Sequence, residues 1–302
     1  MGKLVLDIGG TKLRWALWDG LSLNQIQESP TPKVSAPQFV DHLVHLLLPS
    51  LQKFQITEMG IASAGPVRSG TGELLSATNL GNGDSSWQHF QLKNELSNKT
   101  NVPIAIANDA ASAALGQFHH FEQTKILDLV VVTLGTGLGV GAIVDGALVQ
   151  AGQGLHPEVG HMLLGSLKEQ PYPTAMGNFP TAESFLAGHH FAKRVALDTK
   201  ENIDGKVLIQ RSLQGDPLIL KYWEQYRVSM ASFLANLCLI YFPQKIVLAG
   251  GFAVAAAPYF LKESQSLLAR ILKKQVSAGI KLPQLELAHE PDLLPLFGAA
   301  YL

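Results

Sequence analysis

The chain has 302 residues, 47% of them hydrophobic and 16% charged, with a formal net charge of -1. That is enough to bury a large core in about two domains, and the near-neutral balance without runs of like charge excludes an electrostatic nucleic-acid or membrane-surface binder. The one cysteine, Cys238, rules out a disulfide scaffold or a cysteine-built zinc site, and no apolar stretch is long enough to span a bilayer. With no basic, apolar leader at Met1, a soluble cytoplasmic protein is expected.

The first strand-like run enters a glycine turn, and the pattern returns later. Residues 5–20, "VLDIGGTKLRWALWDG", align without a gap on residues 131–146, "VVTLGTGLGVGAIVDG". Each copy reads as an apolar strand, a Gly/Thr turn, a second strand and an Asp-Gly turn that starts a hairpin. The match predicts a duplicated domain. Between the copies, "APQFVDHLVHLLLPSLQKF" (36–54) has helical apolar spacing, bent or ended at Pro49. "EMGIASAG" (58–65) and "VPIAIAND" (102–109) read as strands, the latter followed by the helix "AASAALGQF". After the second copy come a long helix over 216–242, a strand "KIVLAGG" (245–251), a helix over 258–274 and a short closing helix "PLFGAAYL". Alternating strands and helices predict an α/β fold with a largely parallel sheet. The lobes are expected at 1–115, with 293–302 packing back on it, and at 116–292. The paired histidines at 119–120 and 189–190 read as solvated helix ends, and the tryptophans as packing residues.

Three glycine turns follow buried strands: "DIGGT" (7–11), "LGTG" (134–137) and "AGG" (249–251). Glycine lets backbone N–H groups converge on a concavity, and threonine adds a hydroxyl donor, which suits phosphate oxygens. Other phosphate and catalytic signatures fail on spacing. No Walker run exists, and Val140 stands where a dinucleotide fingerprint needs its third glycine. "GIASAG" does not fit a nucleophile elbow. "HPEVGH" is not a zinc helix, because Pro157 and Gly160 break it. Asp7 ends the first strand beside a phosphate turn, where it either binds Mg²⁺ through water or caps its own turn. Lys12 can pair with phosphate. Asn108 and Asp109 are delivered by a strand to the start of a helix, where Asp109 acts as a base or caps the helix.

Four segments, "DIGGTKLRWAL", "AIANDAASAALG", "VVVTLGTGLGVGAIVDGALVQAGQGLHPEVGHM" and "IVLAGGF", resemble the ROK family of bacterial sugar kinases, within the actin/hexokinase/Hsp70-like superfamily. The resemblance implies duplicated actin-like ATPase (ribonuclease H-like) domains, as two lobes around a central cleft. It implies an ATP- and Mg²⁺-dependent kinase acting on a hexose, glucose or fructose, since "HPEVGH" looks most like the fructokinase branch. The cofactor-binding residues implied are Asp7, Gly9, Gly10, Thr11, Lys12, Gly135, Thr136, Gly137, Gly250 and Gly251. Asp109 is implied as the base, with Asn79, Asn108, Glu158, His161 and Glu183 on the sugar. A non-catalytic sugar sensor and an N-acetylated amino-sugar kinase are the alternatives, and a phosphoanhydride hydrolase is a third. Many family members hold the segment after E-x-G-H with zinc and three cysteines. Here that segment has no cysteine, so no structural zinc is expected; either Pro171, Pro173, Pro180, Tyr172 and Phe179 stiffen it, or it orders only around sugar. A homodimer is possible, and no nucleic-acid or membrane partner is expected.

Overall fold

The computed structural model describes residues 2–81, 83–122, 125–167, 173, 174 and 177–302, without the side chains of Thr78 and Asn79. The backbone divides into two compact units. Met1–Lys125, Leu148–Pro157 and Leu293–Leu302 form the first; Ile126–Ala147 and Glu158–Asp292 form the second.

The first unit holds strands β1 (Gly2–Ile8), β2 (Lys12–Trp18), β3 (Leu23–Pro30), β4 (Ile56–Ser63), β5 (Val67–Arg68), β6 (Glu73–Leu74) and β7 (Ile104–Asn108). Five of them make one sheet in the order β3-β2-β1-β4-β7. The second unit is built on β8 (Leu129–Leu134), β9 (Leu138–Val144), β11 (Lys245–Ala249) and β12 (Gln284–Leu287), with the short β10 (Ala147–Leu148) starting at its Ala147; the sheet order is β10-β9-β8-β11-β12. The two sheets have the same order of corresponding strands, and both halves of the sequence repeat become hairpins, β1–β2 and β8–β9. The sheets are mixed rather than largely parallel. β1 pairs antiparallel with β2 and parallel with β4, and β8 does the same with β9 and β11. The Gly/Thr turn is short enough to reverse the chain directly, so the repeated hairpin is antiparallel; only the helix-crossed strands run parallel.

Alternation along β1 separates two layers of core. Leu4, Leu6 and Ile8 pack with Phe39, Val40, Leu43 and Leu47 of the helix Ala36–Lys53, while Val5 meets Ala16, Trp18, Leu296 and Phe297 on the other face. Ser35 starts that first helix in a capping box with Gln38. Pro49 neither ends it nor stops the chain short of Lys53, because its missing N–H costs one bond in the last turns while Leu47 stays buried below. The later helix begins at Gly251 rather than near 258, and Pro258 lies within it. The long helix Pro217–Tyr241 has Asp216 as N-cap, accepting from Leu218 N at 2.9 Å, and buries Trp223 and Tyr226.

The boundary between the units falls after Lys125, not after residue 115. The reason is aromatic packing of the wide helical turn Gln117–Phe121 on the helix Leu294–Ala300. His120 stacks on Phe297 at 4.1 Å and is half-buried there, while His119 stacks on Tyr301 at 4.9 Å and stays exposed, so one histidine of the pair packs and the other is a solvated end. The helix Asp109–Gly116 crosses the same partner closely: a Cβ on Gly298 would lie 1.7 Å from the Ser112 carbonyl oxygen. Residues Leu148–Pro157 are held in the first unit by Arg68, whose guanidinium donates to the Gln153 carbonyl at 2.7 Å, and by Ser69 N to Gly154 O at 3.1 Å. All four tryptophans are buried. Among the described residues no helix is long and apolar enough to cross a membrane.

Candidate functional site

In the first unit, the strand end of β7 and the helix Asp109–Gly116 set the Asn-Asp pair. Asn108, not Asp109, caps that helix: its Oδ1 accepts from Ala110 N at 2.8 Å and Ala111 N at 3.3 Å. Its Nδ2 donates to the Gly65 carbonyl at 3.1 Å. Asp109 accepts from its own neighbour, Ala110 N, at 2.8 Å. Desolvation is the main influence on its carboxyl and pushes it up to about 6, against smaller lowering by hydrogen bonds from Ala110 and Asn108. The capping function is therefore met by its neighbour, which leaves Asp109 as a carboxyl of raised pKa at the helix start.

The turn after β1 in the same unit is tied down by its own carbonyls. Thr31 Oγ1 donates to Gly9 O at 2.7 Å, Thr31 N donates to Thr11 O at 3.0 Å, and Lys33 donates to Gly10 O. Asp7 is 6% exposed, and the β1–β2 register sets it opposite Arg14, whose Nη1 lies 3.5 Å from Oδ2. The Lys12 ammonium lies 3.1 Å from the exposed Glu28 carboxylate. Arg14 is a partner that sequence reading missed, although the hairpin repeat gives the register that predicts it.

The second unit brings its site residues into one connected group. Gly135, Thr136 and Gly137 link β8 to β9, and Gly135 N donates to Gly137 O at 3.0 Å. Glu183 reaches this turn: its Oε2 accepts from Leu138 N at 3.1 Å, and a Cβ on Gly137 would meet that oxygen at 2.8 Å. Glu183 Oε1 lies 4.0 Å from His161 Nδ1, and His161 Nε2 lies 3.8 Å from Glu158 Oε2. Both separations exceed direct hydrogen-bond length. The short turn Val159–His161 sets this arrangement, and Gly160 is required there because a Cβ would lie 2.2 Å from the Leu138 carbonyl oxygen. Burial pushes the His190 imidazole down to about 4; His189 and His161 add to the lowering, while a hydrogen bond with the Pro173 backbone opposes it.

Two further helix starts meet the same turn. Gly188 N, at the start of the helix Gly188–Thr199, donates to Gly135 O at 2.9 Å. Gly250, at φ +93°, lies so close to the Leu134 carbonyl that a Cβ would stand 2.4 Å from its oxygen, and Gly251 opens the helix Gly251–Ile271. Helix N-termini beside a glycine turn favour phosphate. Gly188 was missed in the sequence because one glycine before "HHF" carries no motif. The N–H groups of Gly135, Leu138 and Gly188 are taken up within the second unit; in the first unit the Asp7 carboxylate, 3.5 Å from Arg14, is of the oxygen type that suits a hydrated Mg²⁺. Among the described residues no group of three or more His, Cys, Asp or Glu side chains is arranged to hold a metal. Pro171 and Tyr172, and the Asn79 side chain, lie outside what the structure describes.

A model of the ROK family matches residues 3–302. An N-acetylmannosamine kinase from Salmonella heidelberg is 29% identical, across 100% of this chain and 98% of its own. A ROK hexokinase structure from Thermus thermophilus superposes with a TM-score of 0.84 at 24% identity, covering 99% of this chain and 97% of that one. A ROK glucokinase from Streptomyces griseus, solved with glucose and AMPPNP, gives a TM-score of 0.78 at 23% identity over 100% and 98% of the two chains.

Proposed function

This chain belongs to the ROK family of the actin-like ATPase superfamily, and we propose that it is a sugar kinase moving the γ-phosphoryl group of ATP to a hydroxyl of a hexose or N-acetylated hexosamine. The observation that carries this reading is Asp109: a carboxyl raised to about 6, at a helix start that Asn108 already caps. A pKa near the working pH favours a general base, and a sugar sensor needs no base.

In this reading Asp109 accepts the proton of the attacking hydroxyl as its oxygen bonds to the γ-phosphorus and the bond to the ADP oxygen breaks. Asn108 holds Asp109 in place. Glu158 accepts from sugar hydroxyls, and His161 either donates or accepts. Gly135, Thr136, Gly137, Gly250 and Gly251 hold phosphates and the adenosine side of the nucleotide, with Gly9, Gly10, Thr11 and Lys12 as the corresponding turn of the first unit. Asp7 would hold Mg²⁺ through water, and Mg²⁺ would offset charge on the phosphate oxygens. Support for the choice of sugar is divided: the "HPEVGH" stretch resembles fructokinases, while the relatives above are a hexokinase, a glucokinase and an N-acetylmannosamine kinase.

The test is ADP release in a coupled assay with glucose, fructose, mannose, N-acetylglucosamine and N-acetylmannosamine. Sugar-dependent release supports the kinase reading. Sugar binding without turnover would make the protein a sensor, and release of phosphate without any sugar would make it a hydrolase.

A further inference from the structure

The Glu183 carboxylate has two oxygens with two different neighbours. Oε2 accepts the Leu138 N–H at the end of the Gly135–Gly137 turn, and Oε1 faces the His161 imidazole. Its side chain is 12% exposed, so water competes little for either oxygen. The turn is shaped around this carboxylate: Gly137 has no Cβ where Oε2 stands, and Gly160 lets the His161 segment close on the Leu138 carbonyl. The 4.0 Å gap to His161 is an unmade hydrogen bond whose closure moves the same carboxylate that braces the turn.

We propose that Glu183 is a positioning residue that couples the hydroxyl-binding pair Glu158–His161 to the phosphate turn, so that a seated sugar tightens nucleotide binding. A sugar hydroxyl that draws His161 toward Glu183 fixes Oε1. The carboxylate then has one orientation, with Oε2 on Leu138 N, and the turn is held in its donor arrangement. Coupling between two ligands is reciprocal, so nucleotide tightens sugar by the same factor. This inference rests on the kinase reading.

The experiment measures adenylyl imidodiphosphate affinity by calorimetry, with and without saturating amounts of whichever panel sugar is turned over. The wild-type protein is expected to bind the analogue at least about fivefold tighter with sugar present. Glu183→Gln keeps the shape but has one acceptor oxygen, which serves Leu138 or His161 and not both. It is expected to lose the tightening, read as the ratio of its own affinities for the analogue with and without sugar. Gly137→Ala, which pushes the carboxylate off the turn without altering Glu183, is expected to lose it as well. Should Glu183→Gln fail to fold, Gly137→Ala carries the test. Sugar-independent affinity in the wild type, or full tightening in the folded variants, overturns the inference while the kinase reading stands. No ADP release with any sugar overturns both.

Discussion

Asn108 and Gly65 are joined side chain to backbone: the Asn108 amide donates to the Gly65 carbonyl at 3.1 Å while its oxygen caps the next helix. One buried side chain thus closes the ends of β4 and β7, which lie side by side with Ser63 opposite Asn108. Asn108→Ala removes a cap, worth about 1 kcal/mol, and strands a carbonyl, at about 1–3 kcal/mol. A loss of roughly 2–4 kcal/mol in urea unfolding is expected, with Asn108→Asp milder because it keeps the cap.

Asp109→Asn is expected to lower kcat by about 10²–10⁴-fold with little change in sugar affinity. In the wild type, kcat/KM should fall as pH drops through about 6, where the Asp109 carboxylate takes up its proton. Turnover near the wild-type rate in the variant removes the residue from this role.

The same shift has a stability consequence with a definite sign. The folded Asp109 carboxyl binds its proton more tightly than the unfolded one, up from the ordinary 3.8 to about 6. Stability from this group is therefore full below about pH 4 and lost as pH rises through 6. Asp109→Asn should be more stable than the wild type at pH 7–8, by on the order of 1–2 kcal/mol, with the difference vanishing near pH 4. Denaturation at both pH values checks this.

Gly298→Ala places a methyl carbon 1.7 Å from a backbone oxygen of Ser112, which no side-chain rotation relieves. Helix separation follows, at a cost of about 3 kcal/mol or more. Melting curves should show the first unit losing stability.

Purified protein should carry no stoichiometric zinc, and a strong chelator should leave its melting temperature unchanged. The chain has one cysteine, and Cys238 is buried with its thiol pushed up to about 11 by desolvation. Elemental analysis finding one zinc per chain would contradict this.

What the sequence revealed depended on range. The two glycine hairpins were legible because strand alternation, the turn and the Asp-Gly corner all lie within sixteen residues of each other. The corners themselves diverge: Asp145 and Gly146 both take positive φ, as a tight two-residue turn requires, while Asp19 caps a longer loop, accepting from Leu21 N and Ser22 N. The helix start at Pro258 was misjudged because burial of Ala253, Ala256 and Ala257 ahead of it outweighs one missing bond. The Glu183–Leu138 bond was not legible at all. It joins residues 45 positions apart, and nothing in either local pattern announces the other.

The helix Leu294–Ala300 covers the face of the first sheet carried by Val5, Ala16 and Ala62. A ribosome makes β1 long before this cover. Until then the nascent unit shows a bare apolar wall, the kind of surface that recruits chaperones or neighbouring chains. Biosynthesis of this protein therefore has a vulnerable interval that lasts until Leu294–Ala300 is made, and nonsense mutations upstream of Leu294 should yield aggregates rather than a truncated but folded product.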